Sequence, residues 1–217
     1  MHKLRVLQMQ LAEKTKAPSH IQMERERRRL GQIRKSFAAM VDQVNAGTAP
    51  PLEFLCACVD YIKASMDRLH AQDQRIHDLL VPHAGISADG PAVLASLDHR
   101  LAASRVALDE LVQGAAKFRA SGGKDWAGFT GIIARFMDVY LNTLLKGHHS
   151  TTAMQEKVMG VDAWNDAAAV SNGALQIEAA QFALVKRLAP QGADPESMPG
   201  GRPGGPPGGA GGPPAAG

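Results

Sequence analysis

Apolar residues recur at intervals of three and four positions along most of the chain before Pro190, which is the spacing of an α-helix. The first predicted helix runs from about Ser19 to Ala46, because serine is a favoured N-cap and Gly47 a favoured stop. Its apolar stripe consists of Met23, Leu30, Ile33, Phe37, Met40, Val41 and Val44.

Four more helices follow from the same pattern, separated by residues that favour turns. The second runs from 51 to about 81 and is ended by a proline, and residues 83–90 form a loop. The third covers about 91–118, and the fourth continues from 125 or 126 to about 159. A fifth helix covers about 163–188.

Long helices with short connections predict an all-α fold, an antiparallel up-down-up-down four-helix bundle with an additional C-terminal helix outside it. Residues 1–18 form an N-terminal arm or short helix, and residues 19–189 form the bundle. Residues 190–217 are so rich in glycine and proline that they predict a disordered tail. Composition agrees, because aromatic residues make up only 5% of a chain that is 45% hydrophobic.

Charge and cysteine usage limit the possible partners and compartment. The net charge is +3, and much of the excess lies in a basic run between residues 25 and 35. Such a run marks nucleic-acid or membrane contact in some proteins, but a solvated helix face is the commoner explanation. Cys56 and Cys58 are two residues apart, so on a helix they cannot face each other, and we expect helix packing in a reducing cytoplasm. No membrane span is predicted.

Polar residues on the apolar stripes are the informative exceptions. Asp73 falls near the centre of the stripe of the second predicted helix, between apolar residues, and His70 and His77 flank it. A buried carboxylate beside two imidazoles is unfavourable unless it is paired or bound to a metal. Glu26 lies in the same way on the stripe of the first helix, among arginines.

Two more histidines complete the candidate metal ligands. His148 lies close to the apolar line of the fourth predicted helix, and His99 lies on an alanine-rich face of the third. Small residues at that face would let another helix approach closely. Histidine and carboxylate side chains on facing helices are the ligands by which bundles hold iron, manganese or zinc. The alternative is a hydrogen-bonded His–Asp–Arg network without metal.

The order of these features resembles the hemerythrin-like family of cation-binding domains. The resemblance covers about residues 20–185 and depends on four short segments. The matching segments are Asp60-Tyr61-Ile62-Lys63 leading to Asp67-Arg68-Leu69-His70, Asp78-Leu79-Leu80-Val81-Pro82, Leu97-Asp98-His99-Arg100, and Tyr140 through Leu145 to His148, with Trp164 beyond them.

The resemblance implies a hemerythrin-like bundle that holds non-haem iron, as a di-iron centre in an intact family member. Its function would be to bind or sense oxygen, a related small gaseous ligand, or iron. The chain departs from the family pattern where a bridging glutamate is expected, because His70 is followed at i+4 by Gln74. A histidine expected on the first helix is also missing, and Asp73, His77 and Glu26 are candidate replacements.

Three hypotheses follow from these observations. The first is an iron-binding protein that uses His70, Asp73, His77, His99 and His148, with Glu26 as a further carboxylate. The second is a metal-free, degenerate bundle that acts as a protein-interaction module through its basic first helix or its Gly/Pro tail. A metal-dependent oxidase ranks last, because the carboxylates are few for oxygen activation, so binding is expected rather than catalysis. Neither nucleic acid nor membrane is an expected partner.

Overall fold

The computed structural model describes residues 18–145 and 151–198, and these residues form helices joined by turns, with no strand among them. The prediction of an all-α fold is therefore confirmed for this part of the chain. The longer helices are α1 (Pro18–Asn45), α2 (Leu52–Leu80), α3 (Gly90–Ala120), α4 (Trp126–Asp138) and α7 (Asn172–Leu188). The shorter ones are α5 (Thr152–Val158) and α6 (Val161–Ala168).

Helix α2 is the central element, since α1, α3 and α7 all pack against it. Its first turns are buried on every side, including the consecutive residues 54–59. This run contains Cys56 and Cys58, which are both buried and free, so their predicted role in helix packing is confirmed. Because this end of α2 is buried on all sides, its apolar residues are continuous in sequence and are not restricted to one face of the helix.

The predicted apolar stripe of α1 faces the interior, because six of its seven residues are almost fully buried and Val41 is partly buried. Leu30, Ile33, Phe37 and Met40 belong to one large core that also contains the buried residues of α2, α3 and α4. Met23 belongs to a second, smaller core with Ile76, Leu80, Leu94, Met154, Met159 and Ala167. The start of α1 therefore lies at the same end of the molecule as the end of α2 and the start of α3.

Helices α3 and α4 approach closely at Gly114. A Cβ atom placed there would lie 2.7 Å from Ile132 Cδ1, so the glycine permits this contact. Nearby, the rings of Phe118 and Phe129 stack with their centroids 4.7 Å apart, and Trp126 packs against both. These aromatic contacts join the end of α3 to the beginning of α4.

Three predicted boundaries differ from the structure. The predicted loop 83–90 contains part of a 3₁₀ helix, Val81–Ile86. The predicted fourth helix is α-helical only to Asp138 and continues as a π-helix over Val139–Leu145, residues 146–150 lie outside the described residues, and α5 covers its last part. The single fifth helix was wrong, because it is divided into α6 and α7.

The break between α6 and α7 has a clear physical cause. The guanidinium of Arg75 on α2 donates hydrogen bonds to the carbonyl oxygens of Ala167 and Ala169 at 2.7–3.2 Å. These bonds satisfy carbonyl groups that a helix end leaves without partners. Ser171 then accepts a hydrogen bond from the amide of Ala174 and starts α7 as its N-cap.

The described residues extend past Pro190 to residue 198, so the predicted tail begins too early. Ala193 and Pro195 are buried, and Ser36 on α1 donates a hydrogen bond to the carbonyl of Ala193. Residues 199–217, the rest of the predicted tail, and most of the predicted arm 1–18 lie outside the described residues. Within the described ranges, none of the helices has both the length and the apolar character to cross a membrane.

Candidate functional site

His70 is as deeply buried as Glu26 among the described candidate ligands, with 6% of its surface accessible. A 2.5 Å hydrogen bond joins its Nε2 atom to Ser104 Oγ on α3. Burial, reinforced by the charge of Arg105, lowers the pKa of His70 to about 4, although Asp67 and Asp109 act in the opposite direction. The imidazole is therefore neutral near pH 7, which is the form that binds metal ions.

His70 lies beside an open, polar cavity of about 370 Å³ between α2 and α3. Asp67, Arg105 and Asp109 line the cavity with it. Arg105 donates a hydrogen bond to Gln74 at 3.2 Å, and Lys63 forms an ion pair with Asp67 at 2.5 Å. Asp67 and Arg105 thus already have partners on the protein.

Asp73 is turned toward α1 rather than toward the two histidines. Its Oδ1 atom lies 3.2 Å from Arg27 Nη2, and Arg100 is a further nearby positive charge. Burial raises the pKa of Asp73 above its ordinary value, while the two arginines act to lower it. About 29% of the side chain is still accessible, so the site is crowded but open to water.

His77 bridges α2 to α3 at the end of the molecule. Its Nδ1 atom lies 3.1 Å from Asp78 and its Nε2 atom 3.2 Å from Asp98. Both ring nitrogens are thus occupied by carboxylates, which are exposed. The hydrogen bonds from His77 and from Gln74 lower the pKa of Asp78.

Glu26 is buried as the sequence predicts, and its partner is an arginine. Glu26 Oε2 lies 2.6 Å from Arg68 Nη1, and only 4% and 6% of the two side chains are accessible. On the other side, Arg68 Nε and Nη2 donate to both carboxylate oxygens of Glu178 on α7. One guanidinium thus joins two buried carboxylates from different helices.

Hydrogen bonds surround this ion triad and extend it to α6. Ser65 donates to Glu178 at 3.2 Å, and Gln72 accepts from Arg68 at 3.2 Å. Gln72 also donates to the carbonyl of Ala168 at 3.3 Å. We call this set, formed by Glu26, Ser65, Arg68, Gln72 and Glu178, the interior ion network. Such bonds are what make buried charges tolerable, because an unpaired charge in an apolar interior is highly unfavourable.

Tyr61 and Phe182 form the apolar side of the same region. Their ring centroids are 5.8 Å apart, and the guanidinium of Arg29 lies 5.0 Å from the Phe182 ring. Burial raises the pKa of Tyr61 to about 12, so its phenol is neutral at any physiological pH. The region therefore combines fixed charges with a rigid aromatic pair.

The two remaining candidates are not part of either cluster. His99 is exposed and lines a groove with alanines on the outer face of α3. His148 lies outside the described residues, as does the neighbouring histidine. The candidate ligands are thus divided among separate contacts in the part of the chain that the structure describes.

A di-iron centre in a helical bundle needs several histidine and carboxylate side chains directed at one point. Among residues 18–145 and 151–198, no group of three or more His, Cys, Asp and Glu side chains is placed to hold a metal ion. Glu26, Asp73 and His77 each have an oppositely charged or hydrogen-bonding partner instead. The described donors therefore do not fit a di-iron centre, and iron binding stays a prediction.

Sequence reasoning missed the interior ion network as a unit, although it found Glu26. A signal was present on α2, where Tyr61, Ser65, Arg68 and Gln72 recur at helical spacing as a second, polar stripe. Glu178 gave a similar signal, since it lies between apolar residues on one face of α7. The partner of each stripe could not be predicted from the sequence, because contacting residues are up to 113 positions apart.

Comparison with protein-family models, with curated proteins and with solved structures finds no match for this chain. The hemerythrin-like resemblance therefore stays a prediction from its short motifs.

Proposed function

We propose that this chain is a helical protein-interaction module whose fold depends on internal ion pairs and not on a bound metal ion. The observation that carries this proposal is the position of Arg68 between Glu26 and Glu178. The two buried carboxylates, Glu26 and Glu178, already have a cation between them. A degenerate hemerythrin-like bundle of this kind would keep its shape and lose its metal.

The bundle itself is part of the proposal. His70 on α2 contacts Ser104 on α3, and His77, further along α2, contacts Asp98, which is earlier on α3. The two helices therefore run antiparallel. The contacts Glu110–Arg135 and Phe118–Trp126 have the same sense between α3 and α4. These neighbours support an antiparallel up-down-up-down four-helix bundle formed by α1 to α4, with α7 as the added helix.

The partner surface proposed for the module is the basic outer face of α1. Arg25 and Arg28 are exposed there, while Arg27 on the same helix is drawn to Asp73. Exposed guanidinium groups favour an acidic protein surface, because they form paired hydrogen bonds with carboxylates. The Gly/Pro-rich residues 199–217 are a second contact for such a partner. Free, buried cysteines agree with a cytoplasmic setting.

Iron binding, with oxygen or a related small ligand, is the second candidate function. His70 favours it, because the neutral imidazole has one nitrogen held by Ser104, as outer-shell groups hold metal-binding histidines. His148 would then contribute from outside the described residues. This candidate requires that ion pairs at Asp73 or Glu26 open when metal arrives.

Metal analysis of the full chain, purified from iron-supplemented cells, distinguishes the two functions. We expect far less than one metal ion per chain, no visible absorption band, and a melting temperature that EDTA leaves unchanged. Stoichiometric iron that is lost in His70→Ala with Asp73→Ala would overturn the interaction proposal in favour of iron binding. His83→Ala is the matched control, since His83 is exposed on the 3₁₀ helix.

Charge reversal tests the partner surface directly. Arg25→Glu with Arg28→Glu should weaken capture of an acidic protein partner, and most strongly at low salt, because salt screens an electrostatic contact. Lys117→Glu with Lys124→Glu reverses the same amount of exposed charge elsewhere and should leave capture unchanged. Equal losses in both variants would show that net charge, not the face of α1, controls binding.

A further inference from the structure

The beginning of α1 and the short helix α6 lie side by side at one end of the molecule. Met23 on α1 and Ala167 on α6 belong to the same small core, and the two helices pack against each other there. Arg25 and Arg28 follow Met23 within about a turn and a half of α1, and both are exposed. The outer face of α1 is therefore positively charged beside α6.

The exposed side of α6 carries the opposite charge. Asp162 and Asp166 are four residues apart, so they lie on one face of the helix, and both are exposed. The helix itself contains no basic residue that could balance them. A negatively charged face therefore lies next to the positively charged face of α1.

These charges are not neutralised within the part of the chain that the structure describes. Arg25, Arg28, Asp162 and Asp166 form no ion pair among residues 18–145 and 151–198. Other surface charges do pair within the chain, as Arg119 does with Asp60 and Lys186 with Glu196. The two neighbouring faces are thus available to charges on a second molecule.

Exposed apolar side chains accompany the charges at this end. Val161, next to Asp162, is 60% exposed, and Ile86 on the 3₁₀ helix is 48% exposed. The charges of Asp89, just after the 3₁₀ helix, and Lys157, just before α6, lie close enough to interact, which places these two segments together. Protein interfaces combine an apolar centre with a charged rim, and this end of the molecule has both.

The two charged faces are complementary to each other under a two-fold rotation. In a two-fold dimer every contact between the copies occurs twice, because the same patch is used on both sides. The arginines of α1 in one copy then face the aspartates of α6 in the other, and the reverse contact forms at the same time. Each exposed arginine at this end gains a carboxylate partner in this way.

We propose that the acidic partner of α1 is a second copy of this chain, which docks through the basic face of α1 and the acidic face of α6. Val161 of each copy lies near the two-fold axis, and the Arg–Asp pairs surround it. This inference rests on the proposed function, because it names the partner that the exposed arginines bind. Exposed ion pairs contribute little each, so the dimer is weak and depends on salt.

Sedimentation velocity of the full chain measures the association without any substitution. We expect a dimer at about 100 μM chain in about 10 mM salt, and a monomer in about 1 M salt, where the Debye length is only about 3 Å. A monomer at both salt concentrations would overturn the inference. A dimer that salt does not weaken would also overturn it, since the contact would then not be electrostatic.

Exchange of the charges tests which surfaces meet. Arg25→Glu with Arg28→Glu, and Asp162→Lys with Asp166→Lys, each place like charges opposite one another, so each variant alone should be a monomer. An equimolar mixture pairs the new glutamates with the new lysines and the remaining arginines with the remaining aspartates. We expect the mixture to recover most of the wild-type dimer. Circular dichroism establishes that each variant keeps its helices.

Lys117→Glu with Lys124→Glu is the matched control, because both lysines are exposed and the net charge changes as much as in the arginine variant. Alone, this control should dimerise like the wild type. Mixed with the fluorescently labelled aspartate variant, it leaves arginines opposite lysines at one of the two contacts, so it should recover severalfold less labelled dimer than the arginine variant does. Equal recovery would show that net charge, and not these two faces, controls association.

The inference and the proposed function can fail separately. A chain that stays monomeric in low salt, yet binds poly-glutamate through Arg25 and Arg28, would overturn the dimer and leave the interaction module in place. Stoichiometric iron would overturn the proposed function, whereas the exchange of charges between α1 and α6 would still decide the dimer.

Discussion

At the scale of single residues, Arg68 has the most consequential environment. It lies in the interior with Glu26 on one side and Glu178 on the other, and a hydrogen bond from Ser65 to Glu178 and one from Arg68 to Gln72 complete the site. Burying such charges is unfavourable by several kcal/mol per ion, and only their mutual contacts offset it. The network therefore fixes how α1, α2 and α7 fit together more than it adds to stability.

Replacing Arg68 by methionine should destabilise the protein strongly. Arg68→Met leaves two carboxylates buried without a cation, so we expect the free energy of unfolding to fall by about 3 kcal/mol or more. Urea unfolding followed by circular dichroism measures the change. Lys63→Met is the control, because Lys63 and Asp67 are half-exposed, and should cost no more than about 1 kcal/mol. Similar losses in both variants would contradict the role assigned to Arg68.

His70 should make stability fall as the pH decreases. Its pKa is about 4 in the folded chain against an ordinary value of 6.5, so between these values the unfolded chain binds a proton that the folded chain excludes. As the pH falls from 6.5 to about 4, the free energy of unfolding should decrease by about 3 kcal/mol in total. Above pH 6.5, His70 should not make stability depend on pH.

The measurement compares wild type with His70→Gln in urea at several pH values. Glutamine can keep a hydrogen bond to Ser104 but does not titrate, so the slope due to His70 should disappear. Asp73 acts in the opposite sense, because its raised pKa makes the folded chain take up a proton first. The difference between the two proteins removes this contribution. Parallel pH profiles would show that His70 titrates normally.

At the scale of helices, the closest contact in the main core is the crossing of α3 and α4. Gly114 faces Ile132 and Phe129 there, while Gly131 on α4 has only Arg135 Nη1 near it, at 3.8 Å from an added Cβ. Both glycines lie inside helices and have ordinary helical backbone. They differ in the space around them, which makes them a matched pair.

Valine at these two positions should have opposite effects. Gly114→Val overpacks the α3–α4 contact and should lower the free energy of unfolding by about 1–3 kcal/mol. Gly131→Val points to solvent and should be neutral or stabilise by a few tenths of a kcal/mol, because valine has the higher helix propensity. Thermal unfolding of both variants measures this. Destabilisation of the same size at Gly131 would imply a general helix effect.

The helix pattern located most elements but not their internal breaks. The stripes of α1, α2 and α3 were correct because each buries a continuous apolar face. The division of the fifth predicted helix depends on Arg75, which is 92 and 94 residues away from the carbonyl groups it binds. Helical periodicity is a local property, so it cannot report an end that is set by a distant side chain.

At the scale of the whole molecule, the C-terminal region is an integral part of the fold. Helix α7 packs against the central α2 and supplies Glu178 and Val185 to the interior. Beyond it, residues 190–198 turn back onto α1 through Ser36 and Gln43, and Lys186 pairs with Glu196 at 2.6 Å. Residues after α7 therefore pack back against α1.

Two truncations should separate the packed residues from the Gly/Pro-rich ones. Deletion of 199–217 should leave the melting temperature within about 1 °C of the full chain, because these residues cannot bury apolar side chains. Deletion of 190–217 also removes the buried residues Ala193 and Pro195 and should lower the melting temperature by several degrees. Scanning calorimetry of both proteins measures the difference. Equal melting temperatures would show that residues 190–198 do not stabilise the fold.

The sequence by itself determined that the chain is helical, where its long helices lie, and that polar groups interrupt their apolar faces. It placed Glu26 and His70 in the interior, and both are buried. Only the tertiary structure decided what those groups contact: Arg68 for Glu26, Arg27 for Asp73, and Ser104 for His70. Periodicity reports which face of a helix is buried, whereas the partner of a buried charge depends on how separate helices are arranged in space.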